Sequence, residues 1–154
     1  MSKWFLINLV VLLVLIWKLM SSHHSLHILV GGLGFLLFLF NWTRHAVFST
    51  LRSQLERRKK IAFANLSKKI LPFHKWVGTS AFVIIMIHAI LVIQRFGFQI
   101  NNIKMVSGLL ALIILACVVL TGWMRLYRPS IKKRMAHLWF GLTLFSLAVI
   151  HLIF

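Results

Sequence analysis

Residues 74–88 read HKWVGTSAFVIIMIH, and residues 137–151 read HLWFGLTLFSLAVIH. Both copies fit His-x-Trp-x-Gly-x9-His, also share Phe and Ile at matching offsets, and lie 63 residues apart. On an α-helix, residues fourteen apart come back to nearly the same face, about 40° short of four turns, and are separated by about 21 Å of rise. His74 and His88 therefore share one face at two depths, as do His137 and His151. Each copy sits in an apolar run able to span a bilayer, where an ionisable or strongly polar side chain is a functional hypothesis by default. If one membrane crossing separates the copies, the two helices run parallel. His74 is then level with His137 and His88 with His151, giving two bis-histidine sites stacked across the membrane. Neutral imidazole ligates several metals, and two facing imidazoles with room between them meet the needs of an axially ligated haem. Gly78 and Gly141, one turn from the first histidine of each copy, are expected to supply that room. The competing reading has the histidines as polar helix-to-helix contacts and the glycines as small packing residues.

The composition agrees with a membrane setting. Of 154 residues, 60% are apolar, the mean hydropathy is +0.92, and one residue is acidic. Such a chain is a polytopic membrane protein rather than a soluble domain, and its length suits one compact bundle. The formal charge of +17 does not point to nucleic acid, because the basic residues fall between apolar segments, where topology explains them. The single Cys117 lies in mid-segment, which leaves no disulfide framework or cysteine cluster for metal.

The expected fold is all-α: an integral membrane bundle of five transmembrane helices over about 4–20, 26–42, 73–94, 103–125 and 131–154, with a basic segment at 44–72. The first run has a charged start like a signal peptide but no small-residue cleavage site, so it reads as a retained helix. Gly31, Gly32 and Gly34 in the second run mark close helix contact. The SSHHSLH connection offers His23, His24 and His27 as either a surface metal site or a histidine-rich polar loop. His45 reads as an interfacial side chain. Segment 44–72 has Val47, Phe48, Leu51 and Leu55 at helical spacing, the pattern of a helix lying on, or leaving, a membrane surface. Its basic face fits an acidic electron donor and lipid phosphates equally well. Pro72 is expected to separate this segment from the third span, and Ser130 to cap the fifth.

Charge asymmetry orients the bundle. The second-to-third and fourth-to-fifth connections hold nine and five Lys or Arg, and Lys3 makes fifteen on that side, against Lys18, Arg95 and Lys104 on the other. The positive-inside rule then puts the N-terminus in the cytoplasm and the C-terminus outside. Trp4, Trp42, Trp76, Trp123 and Trp139 fall towards the cytoplasmic interface, and Trp17 towards the outer one.

Two parallel helices each bearing His-x13-His, joined through one intervening helix, resemble the transmembrane haem domain of ferric reductases and NADPH oxidases. They also resemble the haem-binding membrane subunits of periplasmic methionine sulfoxide reductases. The resemblance covers roughly 26–154 and rests mainly on the doubled histidine spacing. It implies two haem b groups, with His74 and His137 as axial ligands of an inner one and His88 and His151 of an outer one, in a bacterial plasma membrane. It implies electron transfer from a cytoplasmic donor to an external acceptor. The sequence departs from the family in ending three residues after His151 and in lacking a Gly-rich nucleotide loop; a separate flavoprotein or quinol donor is therefore expected. Arg95 and Lys104 outside, and Lys75, Lys132 and Lys133 inside, are candidate propionate partners or ordinary snorkelling cations. Two rival readings are a histidine-lined metal-ion transporter and a cofactor-free anchor subunit of a larger complex.

Overall fold

The computed structural model describes residues 3–21, 25–51 and 56–154. They form five helices in chain order: α1 (Lys3–Ser21), α2 (Leu26–Leu51), α3 (Arg57–Phe96), α4 (Ile103–Tyr127) and α5 (Ile131–Ile153), with no strand among the described residues. All five are long and apolar enough to cross a membrane. Their outward faces carry exposed Leu13, Ile16, Val83, Ile87, Ile90, Leu110, Ile113 and Leu120. This inversion of the soluble pattern is what a bilayer permits, because a helix satisfies its own backbone hydrogen bonds.

The chain packs as two antiparallel hairpins, α2 on α3 and α4 on α5, with α1 laid against α2 and α3 against α4. The core lies where α2 meets α5. Phe38, Leu39 and Trp42 join Leu144, Phe145 and Ala148, with Val11 of α1 and Leu115 of α4. Trp42 stacks on Phe145 at 4.7 Å between ring centroids, and Trp4 meets both edge-on. At the other end of α1, Lys18 Nζ donates to the Ile153 carbonyl at 2.8 Å, which ties down the last turn of α5.

Two expected boundaries move. Pro72 does not separate a surface segment from the third span, because α3 runs unbroken through it. A proline inside a helix removes one backbone donor and crowds the preceding turn, yet helical residues continue on both sides of it. Likewise α2 does not stop at Trp42 but continues to Leu51. The polar composition beyond residue 42 ends the apolar span without ending the helix. At about 1.5 Å per residue, the 40 residues of α3 reach about 60 Å, twice the hydrocarbon thickness. The described part of the basic segment is thus a stalk that leaves the bundle. Its two helices hold together through small buried residues, Ala46 and Thr50 on α2 and Ser67 on α3. Leu55 lies outside the described residues.

The remaining ends follow local chemistry. Gly97, the one residue with positive φ (70°) among those described, caps α3 with its N–H on the Ile93 carbonyl. The Asn102 side chain accepts from the Lys104 and Met105 amides to start α4, and Ser130 accepts from the Lys133 amide to start α5. Each satisfies donors that a helix N-terminus leaves unpaired.

Candidate functional site

The register of the bundle brings the four repeated histidines together in two pairs. His74 faces His137 with ring centroids 6.3 Å apart and planes at 77°. His88 faces His151 at 6.3 Å and 78°. Residues separated by 63 positions therefore stand level at two depths, so α3 and α5 run parallel. The two helices are not among the closely packed pairs; at these levels they meet through imidazoles. An imidazole nitrogen bonds a metal at about 2 Å and stands about 1.2 Å from its own ring centroid, so two imidazoles on opposite sides of one metal have centroids about 6.4 Å apart. Both pairs match that separation.

Three of the four rings are held by the same device. His88 Nδ1 donates to the His27 carbonyl at 2.7 Å, His137 Nδ1 to the Val118 carbonyl at 3.0 Å, and His151 Nδ1 to the Lys104 carbonyl at 3.0 Å. A carbonyl can only accept, so the bond places the proton on Nδ1 and leaves Nε2 as the nitrogen free to ligate. Each of these carbonyls already serves its own helix but has a second lone pair. The Cβ of the residue four positions on tilts back over it, since Cα–Cβ bonds point towards the helix N-terminus. In all three cases that residue is glycine: Gly31 after His27, Gly122 after Val118, Gly108 after Lys104. A Cβ on Gly31 would lie 2.7 Å from His88 Nδ1; one on Gly108, 2.9 Å from His151 Cε1; one on Gly122, 3.3 Å from His137 Cε1. These glycines let the imidazoles reach the backbone. Hydroxyls add to two of the bonds, with Thr121 Oγ1 3.2 Å from His137 Nδ1 and Ser107 Oγ 3.4 Å from His151 Nδ1.

The glycines inside the repeat have other neighbours. A Cβ at Gly78 would meet Asn41 Nδ2 at 2.9 Å, and one at Gly141 would make ordinary contact with Trp42 at 3.5 Å. Asn41 Nδ2 donates to the His74 carbonyl at 3.1 Å, so Gly78 admits an amide beside the first histidine. In the sequence Gly31 reads only as a packing residue, and Gly108 and Gly122 were not singled out. A signal for two of them does exist: Ser107–Gly108 and Thr121–Gly122 repeat on α4 at the fourteen-residue spacing of His137 and His151 on α5.

Of the histidine-rich connection, His23 and His24 lie outside the described residues. His27 packs its ring edge-on against Phe96 at 5.4 Å, with Nε2 3.5 Å from Ser25 Oγ. Among the described residues no three His, Cys, Asp or Glu side chains converge. The sites are pairs, a geometry short of what a bare zinc ion takes from protein. Glu56, the chain's one acid, lies on the stalk and pairs with Lys59 at 3.4 Å.

The candidate propionate partners divide. Lys75 stands over the Trp76 and Trp123 rings, and Lys133 Nζ donates to the Arg128 carbonyl. Arg95 stands over Phe96. Among the described residues, Arg44 and Arg125 act electrostatically on His74, and Lys104 and Lys18 on His151. Arg44 and Arg125 were not singled out in the sequence, since neither stands near the repeat along the chain.

No protein-family model, curated protein or solved structure matches this chain.

Proposed function

We propose that this chain is a di-haem b-type membrane cytochrome that relays electrons across the bilayer, in the manner of the ferric-reductase haem domain its histidine pattern resembles. One observation carries the reading. Two imidazole pairs stand at the separation that two-sided ligation of one metal requires, and three of the four rings present Nε2 because Nδ1 is held by a backbone carbonyl. With no family or structural match, the resemblance rests on these residues alone.

His74 and His137 would hold one haem, and His88 and His151 the other. The haem supplies one-electron redox chemistry when bound. The chain's own part is to fix the imidazole tautomers and to hold the two pairs about 21 Å of helix rise apart. Cation transport fits less well, because the one acidic residue sits on the stalk and the apolar spans offer no carboxylate to balance a moving cation.

The charge bias puts the stalk in the cytoplasm, the N-terminus inside and the end of α5 outside. His74 and His137 are then the inner pair, supplied by a separate flavoprotein or quinol, and His88 and His151 face the external acceptor. Proteoliposomes test this directly. With ferricyanide enclosed, dithionite added outside and a protonophore to dissipate charge, vesicles carrying the protein should bleach the enclosed ferricyanide far faster than protein-free ones. Equal rates would rule out the relay.

A further inference from the structure

The three imidazole-to-carbonyl contacts obey one register, and that register has a fourth place. On α4, Gly108 and Gly122 stand fourteen residues apart opposite His151 and His137, which are also fourteen apart. On α2, Gly31 stands opposite His88. The position fourteen residues beyond Gly31 is 45, opposite His74. By the pattern a glycine there would open the carbonyl of Asn41, four residues earlier, to His74 Nδ1. The residue is His45. Its ring turns away from α3, stacking on Trp42 at 4.8 Å and meeting Trp4 edge-on at 4.7 Å. Its Cβ remains where the other three positions, Gly31, Gly108 and Gly122, have none. Correspondingly, His74 Nδ1 is the buried imidazole nitrogen without a hydrogen-bond partner among the described residues, and the Asn41 side-chain oxygen lacks one as well.

Resting on the two-haem reading, we infer that His45 makes the two sites unequal, so that the haem held by His74 and His137 has the higher midpoint potential. An imidazole whose Nδ1–H is bonded to a carbonyl is the more basic ligand and stabilises ferric iron over ferrous, which lowers the potential. His88 and His151 both have that bond. In the other pair only His137 has it. His45 is therefore a positioning residue that acts through the backbone of α2, not a ligand.

The test is a redox titration of the detergent-purified protein, with mediator dyes and dithionite exchanging one electron per Fe(III)/Fe(II) couple. Two components are expected in the wild type, and His74→Ala should remove the higher. His45→Gly uncovers the Asn41 carbonyl and should move the higher midpoint down towards the lower one. His45→Ala removes the ring but keeps the Cβ, and should leave that midpoint in place; this separates the covered carbonyl from the lost stacking. The inference is overturned if His74→Ala removes the lower component, if the two components coincide in the wild type, or if the Gly and Ala variants shift alike. Should His45→Gly lose a haem altogether, the wild-type assignment by His74→Ala still decides. A colourless wild type would instead sink the underlying two-haem reading.

Discussion

Replacing His74 by Ala and replacing His137 by Ala are each expected to remove the same half of the bound haem, and His88→Ala and His151→Ala each the other half. The expectation follows from the two level pairs, each with its rings 6.3 Å apart. Two histidines on one helix cannot serve one iron, because about 21 Å of rise separates them. A removed ligand also leaves its partner imidazole buried with Nε2 unbonded, a cost of about 1–3 kcal/mol, so lower protein yield should accompany the loss of colour. Difference spectra of the four variants distinguish the outcomes. If His74→Ala and His88→Ala lost the same component while His137→Ala lost another, the two-level arrangement would be wrong.

The second large effect should come from a methyl group. In Gly31→Ala the new Cβ would lie 2.7 Å from His88 Nδ1 and 2.8 Å from its Cε1, closer than non-bonded atoms tolerate. The atoms it meets belong to an imidazole held by a 2.7 Å bond to the same helix, so that bond must break or the helices must part. Overpacking of this kind costs about 1–3 kcal/mol, enough to weaken retention of the His88 and His151 haem by about tenfold. Gly108→Ala, with its Cβ 2.9 Å from His151 Cε1, should act on the same haem, and Gly122→Ala, at 3.3 Å, more mildly on the other. Gly141→Ala is the control: its Cβ would stand 3.5 Å from Trp42, in ordinary contact, and the haem content should not change. Haem retained per chain after gel filtration gives the comparison. Gly141→Ala losing as much haem as Gly31→Ala would remove the carbonyl contacts from the explanation.

Much of the arrangement was legible in the sequence because it follows from periodicity. Five apolar runs give five helices, and a repeat with one crossing between its copies gives parallel helices whose histidines stand level. What was not legible depends on contacts between helices. Every residue carries a carbonyl, so nothing in the one-dimensional string marks those of His27, Lys104 and Val118 as imidazole acceptors. The distinguishing feature is the glycine four residues later, and it matters only once α2 is known to lie against α3 and α4 against α5. The glycines singled out beforehand, Gly78 and Gly141, lie on the ligand helices and face Asn41 and Trp42. Helix ends were misread for a related reason. Polar composition beyond Trp42 and a proline at position 72 mark the limit of an apolar span, but Ala46, Thr50 and Ser67 give the two helices cause to continue together past it.

The count of haem per polypeptide bears on all of this at once. A pyridine haemochrome assay on protein purified from haem-replete cells, with chain concentration fixed by amino-acid analysis, should return two haem b per chain. One per chain would remove one of the two histidine pairs as a cofactor site, and none would leave the four imidazoles as polar contacts between helices.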